Sequence, residues 1–358
     1  MKNLRLIVLD NIEELGEQVN KEIGEISGKK GDYALTISRN RFSNGEGKIR
    51  IKDTVRDKEI YILSDIGNYD ITYDMHGFTH HMGPDEHFQD IKRTISALSG
   101  YASKITLVTP LLYQSRQHKR KGRESLDCAI ALQELGHLGV KHIITFDAHD
   151  PSVCNAIPNL PFENIYPTHT ILEDLIENTD LENTLVISPD MGAMERARYY
   201  AEMLDCDVGV FYKRRDLSTV VNGKNPIVEH AYMGAPVKDK TIIVVDDMIA
   251  SGSSMLEVGE KLKAEGAKEV FFIATFSLFT EGIDEFDKAY KKGWFDKLYT
   301  TNLTYIPNDI KTKEWLHVVN CSKSIAEIIL ALHNGESIKK LVNTKDKILQ
   351  LLEEKKQK

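Results

Sequence analysis

The sequence predicts an α/β protein of two similar domains, each a mainly parallel sheet flanked by helices. Three observations carry this reading. Short apolar runs such as Ile60 to Ser64, Ile105 to Thr109, Leu185 to Ser188 and Ile242 to Val245 have the length of buried strands. Between them lie longer stretches whose apolar residues recur at helical spacing, and such alternation is the mark of strand-helix-strand units. The pattern begins again after Pro158 to Pro167, and 358 residues allow two domains of ordinary size, each with its own core.

Composition narrows the class. A chain 41% hydrophobic and 28% charged is globular rather than disordered. No apolar run approaches the roughly 18 to 20 residues of a membrane span, so no membrane is expected. The start, MKNLRLIVLDNIEEL, is interrupted by Asp10 and followed by acids; it reads as a first strand and not as a signal peptide. Cys128, Cys154, Cys206 and Cys321 lie far apart without a CxxC pair, which fits a reducing cytoplasm and argues against a zinc site or disulfide scaffold. A net charge of −8 gives no reason to expect nucleic acid. The basic clusters Arg116 to Arg123 and Lys213 to Arg215 therefore call for a smaller anion.

In chain order, Ile12 to Ile26 has helical spacing, broken by Gly28 to Gly31, and Tyr33 to Ser38 reads as a strand. In Arg41 to Arg50 the turn Ser43-Asn44-Gly45 leads into a strand through Ile51, and Asn-Gly is first of all a hairpin signal. Asn68 to Pro84, with His76, His80 and His81, reads as a loop. Its histidines suggest a metal, but no second carboxylate or thiol stands at ligand spacing, so a surface loop with satisfied histidines is the plainer reading. A helix over Asp85 to Ser103 and the strand Ile105 to Thr109 lead into the basic segment LLYQSRQHKRKGRES. Such a run is usually a solvated loop, but open α/β sheets bind ligands at this edge. After a helix from Ser125 to Leu138, the strand HIITFDAHD ends in Asp147, His149 and Asp150, candidates for a metal or a phosphate-bound magnesium ion.

In the second half, a helix (Thr168 to Ile176) precedes the strand Leu185 to Ser188, which ends in Pro189-Asp190-Met191-Gly192-Ala193 before a helix carrying Arg196 and Arg198. Strand, Asp-x-Gly and helix make an anion-holding arrangement. Val208 to Tyr212 leads into Lys213, Arg214 and Arg215, and the polar stretch to Gly234 reads as a mobile loop suited to closing over phosphates. Thr241 to Met255, TIIVVDDMIASGSSM, is the most informative stretch. An apolar strand ends in Asp246 and Asp247, and a turn of small residues opens a helix at about Ser254. Carboxylates at a strand end can hold sugar hydroxyls or a metal, and the amides of the turn can hold an anion. The alternative is an ordinary strand-turn-helix with solvated acids. Strands at Val270 to Thr275, near Leu298 to Tyr299 and at Trp315 to Asn320, and a helix at Ile325 to His333, complete the pattern.

Taken in order, FSNGE (Phe42 to Glu46), YQSRQHKR (Tyr113 to Arg120), FDAHD (Phe146 to Asp150), SPDMGAMERAR (Ser188 to Arg198), KRR (Lys213 to Arg215), VDDMIASGSS (Val245 to Ser254) and GESIKKLV (Gly335 to Val342) resemble the ribose-phosphate diphosphokinases, of the type I phosphoribosyltransferase fold. The resemblance implies two phosphoribosyltransferase-like domains. The ATP-side domain spans 1–165 and is completed by about 318–342; the ribose 5-phosphate side spans 166–317, and 343–358 is a peripheral helix or tail. It further implies transfer of the diphosphoryl group of ATP to the 1-hydroxyl of ribose 5-phosphate, with Mg2+ as cofactor, in a homo-oligomeric ring such as a hexamer.

The resemblance also assigns residues. Lys213 and Arg215 are catalytic. Phe42, Asn44, Glu46, Arg116 and Gln117 bind ATP, the first three from a neighbouring subunit. Asp246, Asp247, Ser251, Gly252, Ser253 and Ser254 bind ribose 5-phosphate, and His149 and Asp190 lie at the metal. The family pattern has Asp at Asn44, an acid at Ala250, threonines at Ser251 and Ser254 and glycine at Ala193. Two other readings are a non-catalytic regulatory or scaffolding subunit, which Ala250 and Asn44 favour, and a phosphoribosyltransferase, which leaves Phe42, Arg116 and Gln117 without a task.

Overall fold

A computed structural model describes residues 3–29, 31–215, 227–342 and 344–356, apart from the side chains of 213–215, 227–230 and 356. The chain divides into two compact units. One comprises Met1–Pro167, Asn302–Ile306 and Asn320–Asn343; the other comprises Thr168–Thr301, Pro307–Val319 and Thr344–Lys358.

The first unit runs β1 (Leu4–Val8), α1 (Glu13–Ile26), β2 (Ile37–Arg41), β3 (Gly47–Ile51), β4 (Glu59–Leu63), β5 (Thr72–Met75), β6 (Phe78–His81), α2 (Pro84–Leu98), β7 (Lys104–Val108), α3 (Asp127–His137), β8 (His142–Phe146) and β9 (Phe162–Ile165). Its sheet is parallel throughout, in the order β1-β4-β7-β8-β9. A sheet covered on both faces buries most positions, so β4, β7 and β8 read as mostly apolar runs, and their interior polar residues, Thr106 and Thr145, are themselves buried. Helix α1 buries Leu15, Val19 and Ile23, one turn apart, and Gly16 lets it lie close to Val8, where a Cβ would meet Cγ1 at 2.2 Å.

The second unit runs α4 (Thr168–Asn178), β10 (Thr184–Ser188), α5 (Met194–Leu204), β11 (Asp207–Arg215), β12 (Ile227–Met233), β13 (Thr241–Ile249), α6 (Ser253–Ala264), β14 (Glu269–Ser277), α7 (Asp284–Lys291), β15 (Lys297–Thr301), α8 (Asn308–Lys311) and β16 (Leu316–Val319). The sheet order is β12-β11-β10-β13-β14-β15-β16, parallel except for the antiparallel edge strand β12. Helices α9 (Ser322–His333) and α10 (Lys339–Val342) return to the first unit, where α9 packs on α1. Helix α11 (Lys345–Lys356) packs on α4 and α5 in the second, with Ile348 wholly buried in its core.

Several local expectations change. Asn68 to Pro84 is not a loop: β5 and β6 form an antiparallel hairpin around His76 and Gly77, both left-handed at φ 51° and 79°. Ile71, Tyr73 and Met75 supply a period-two signal too short to stand out beside the histidines. Tyr33 to Ser38 contributes only a bridge from Ala34 to Leu6 before the regular strand starts at Ile37. The stretch ahead of Gly234 contains β12, and Pro158 to Pro167 contains β9. Strand β13 runs on through the acid pair to Ile249. Helix α2 stops at Leu98, since Ser99 is extended and Gly100 left-handed.

Candidate active site

In the second unit, the C-terminal ends of parallel strands β10 and β13 carry the predicted residues. Asp246 is half-buried and Asp247 buried, because β13 is central in the sheet and successive residues face opposite sides. The Asp247 amide donates to Asp246 Oδ1 at 2.8 Å. Burial, and then the Asp247 charge, push the Asp246 carboxyl well above the usual carboxylate range, while Arg196 on α5 pulls it the other way. Arg196, in the SPDMGAMERAR segment, is brought to this site only by the packing of α5 beside β13.

The turn after β13 puts Gly252 at φ 75°, ψ −4°, and α6 starts at Ser253. Ser251 Oγ and Ser253 Oγ lie 3.2 Å apart. The first helical bond is donated by Leu256 N–H to Gly252 O at 3.0 Å, and the Ser253 amide turns back to Ser251 Oγ at 3.5 Å. With the hydroxyls of Ser251, Ser253 and Ser254 on the same turn, this is a donor-rich cradle at the positive end of a helix. Ala250 bears no charge there, and its carbonyl accepts from the Thr280 amide at 3.0 Å.

At the end of β10, Asp190 Oδ1 accepts from the amides of Gly192 at 2.7 Å and Ala193 at 3.2 Å. The turn expected to hold a ligand anion thus already holds its own carboxylate. No described residue bonds the other Asp190 oxygen. Lys213 and Arg215 lie on the backbone of β11, paired with His230 and Ile227 of β12; their side chains fall outside the described residues.

In the first unit, Phe42, Asn44 and Glu46 share the tight turn between β2 and β3. Phe42 is 52% exposed. Asn44 Nδ2 donates to Glu46 Oε2 at 3.0 Å, and the Glu46 amide donates to Asn44 Oδ1 at 3.1 Å. Arg116 and Gln117 are exposed on a 3-10 turn, Ser115–Gln117, that follows left-handed Gln114 beyond β7. Beyond β8, exposed His149 has its ring 5.4 Å from that of His118. His118 Nε2 and Lys119 Nζ reach Asp150 Oδ2 at 3.2 and 2.9 Å. The hydroxyl and amide of Ser152, together with Lys119, hold Asp150 well below the usual carboxylate range. Asp150 is therefore committed within the chain, and Asp147 is buried at φ 40°. His118, directly after Gln117, meets Asp150 only through the fold.

Among the described residues, no three His, Cys, Asp or Glu side chains converge on a point that would cage a metal. Magnesium carried on phosphates keeps several waters and takes only one or two protein carboxylates. Asp190 fits the role through its outer oxygen; the His149 imidazole suits softer metals better. No described helix is long and apolar enough to cross a membrane.

The family model for the N-terminal domain of ribose phosphate pyrophosphokinase matches residues 4–139, and the phosphoribosyl transferase domain model matches residues 165–297. The chain is 27% identical over 308 residues to the ribose-phosphate pyrophosphokinase of Haemophilus influenzae, covering 85% of this chain and 90% of that one. It is 26% identical over 341 residues to ribose-phosphate pyrophosphokinase 4 of Saccharomyces cerevisiae, covering 94% of each. For the ribose-phosphate pyrophosphokinase of Vibrio cholerae the identity is 28% over 348 residues, covering 96% and 100%. Among solved structures, phosphoribosylpyrophosphate synthetase from Mycobacterium smegmatis matches with a TM-score of 0.77 at 23% identity, over 93% of this chain and 99% of that one, which shows a shared fold.

Proposed function

The chain belongs to the ribose-phosphate pyrophosphokinase (diphosphokinase) family, with two phosphoribosyltransferase-like domains, and from that premise we propose that it synthesises phosphoribosyl diphosphate. The 1-hydroxyl of ribose 5-phosphate attacks the β-phosphorus of ATP. The new bond joins that oxygen to the β-phosphorus, the bond from the β-phosphorus to the bridging oxygen of the α-phosphate breaks, and AMP leaves. The observation that carries the reading is the junction of β13 and α6: an acid pair at a strand end followed by a left-handed glycine, hydroxyls and a helix start.

Each residue has a task that follows from its chemistry. The hydroxyls of Ser251, Ser253 and Ser254, with the amides of the turn, hold the 5-phosphate. Asp246 and Asp247 hold the ribose 2- and 3-hydroxyls, which orients the 1-hydroxyl for attack. Phe42 offers a face for the adenine to stack on, and the Asn44 and Glu46 pair reads its polar edge. Arg116 and Gln117 engage the rest of ATP. Lys213 and Arg215 supply positive charge as the β-phosphorus is attacked, an effect worth on the order of several kcal/mol in such sites. Asp190 and His149 would hold magnesium, which would supply the charge that neutralises the polyphosphate. The protein works as a cytoplasmic homo-oligomer, a ring in which the Phe42 turn serves a neighbouring subunit.

The test is direct. Purified protein with ATP, magnesium and ribose 5-phosphate yields AMP and phosphoribosyl diphosphate, and Lys213→Ala abolishes both. Failure to exceed the Lys213→Ala control at any ATP concentration would leave the non-catalytic subunit reading, which Ala250 favours.

A further inference from the structure

The hairpin of β5 and β6 is a surface element that the reaction above leaves without a task, yet it packs against the turn that carries Phe42, Asn44 and Glu46. We propose that Arg41 and Tyr73 act as positioning residues, through which this hairpin and α2 hold the 42–46 turn in its nucleotide-binding form. The inference rests on the reading of that turn as the ATP-side contact.

Arg41 is the joint. Its side chain is 10% exposed, and its guanidinium donates through Nη1 to Gly45 O at 3.1 Å and through Nη2 to Asp90 Oδ2 at 3.3 Å. It lies 5.0 Å from the centre of the Tyr73 ring, within cation–π range. Tyr73 is itself pinned, since its hydroxyl donates to Glu86 Oε1 at 2.6 Å and its ring stacks on His80 at 5.6 Å. The turn thus reaches α2 by two routes, one through Asp90 and one through Tyr73 and Glu86.

Two glycines record how close the packing is. A Cβ on Gly45 would lie 2.6 Å from Met75 Sδ, and one on Gly47 would lie 2.6 Å from Arg93 Nη1. Gly45 is also left-handed, at φ 89°, so the turn and the hairpin beneath it fit only with glycine at the tip. Asp90, 3% exposed, accepts from Arg93 at 2.6 Å and faces Arg39 at 3.6 Å as well as Arg41. A planar fork that must bond a carbonyl and a carboxylate at once needs arginine; the single ammonium of lysine cannot reproduce it. A turn that short, with its phenyl ring in solvent, has little apolar burial of its own to fix its shape. Its own backbone and Asn44–Glu46 bonds close it, and Arg41 and Tyr73 seat the closed turn on the hairpin and α2.

The test is steady-state kinetics on the full chain with ATP, magnesium and ribose 5-phosphate. Tyr73→Ala is expected to raise KM for ATP about tenfold, with KM for ribose 5-phosphate and kcat within about twofold, because a displaced contact weakens one substrate. Tyr73→Phe keeps the ring under Arg41 and restores most of the ATP affinity. Arg41→Lys behaves as Tyr73→Ala does. A role confined to stability would instead lower the melting temperature and leave both KM values alone, which overturns the proposal. Phe42→Ala separates the layers. If it raises KM for ATP while Tyr73→Ala and Arg41→Lys do not, the positioning role is wrong; if Phe42→Ala itself leaves KM for ATP unchanged, the underlying site assignment is wrong.

Discussion

Replacing Gly252 with alanine tests the sugar-phosphate cradle where its geometry is tightest. The residue sits at φ 75°, where a β-carbon costs about 1–2 kcal/mol. That β-carbon would also lie 2.1 Å from Cζ and 2.5 Å from Cε2 of Phe286. The ring cannot step aside cheaply: it is wholly buried, stacked on Trp315 at 5.5 Å and met edge-on by Phe279 at 5.4 Å and Phe295 at 6.3 Å. Relieving such a clash costs about 1–3 kcal/mol more, giving about 2–5 kcal/mol in all. Part of that is avoided if the turn lifts away from Phe286, and then the amides at the start of α6 leave the phosphate. Urea unfolding and substrate kinetics measured on one preparation read both outcomes. The expected result is a lower unfolding midpoint together with a KM for ribose 5-phosphate raised about tenfold or more and little change in KM for ATP. An alanine variant with wild-type stability and wild-type KM for ribose 5-phosphate would refute the packing of this turn and its role in binding. Shortening the ring in the double variant Gly252→Ala/Phe286→Leu should recover part of the loss if the clash is its cause.

Asp65 gives a pH signature: burial raises its carboxyl from the usual 3.8 to about 6, against bonds from the Gly67 and Tyr305 amides and the Thr304 hydroxyl. The folded protein therefore binds this proton more tightly than the unfolded chain, and stability falls as pH rises from about 4 to about 6, by about 3 kcal/mol. Urea midpoints of wild type and Asp65→Asn across that interval should show the wild-type advantage shrinking by this amount; a pH-independent difference counts against it. At Asp190, asparagine keeps the Oδ1 acceptor for Gly192 and Ala193, whereas alanine loses it at about 1 kcal/mol. Both substitutions should raise the magnesium concentration for half-maximal rate, but only alanine should lower the melting temperature. Lys355 caps the end of α4 by donating to the carbonyls of Ile176, Glu177 and Thr179. Lys355→Ala should cost about 1–2 kcal/mol by thermal unfolding, speed amide exchange in α11 and leave the turnover rate unchanged.

Much of the second unit's candidate site was legible because its features are local. An apolar run, an acid pair and a turn of small residues lie within Thr241 to Met255, and their order alone places carboxylates, hydroxyls and helix amides on one strand-to-helix junction. The buried strands β4, β7, β8, β10 and β13 were legible for a related reason, since burial on both faces leaves short, mostly apolar runs. The hairpin of β5 and β6 was not, because its mostly exposed strands carry polar residues and little apolar alternation. The Asp190 turn misled: the amides expected to receive a ligand are taken by the aspartate itself.

By itself, then, the sequence determined the class of fold, the order of the motifs and the kinds of groups they present, since each of these depends on residues adjacent in the chain. Tertiary structure decided which distant residues complete them. Phe286 underlies Gly252, Asp90 gathers Arg39, Arg41 and Arg93, Asp65 takes its bonds from Thr304 and Tyr305, and Ile348 closes the core of the second unit. Such partners come together only when the sheets close over them, and nothing in the spacing of a strand or a turn reveals which far segment will fill the space beside it.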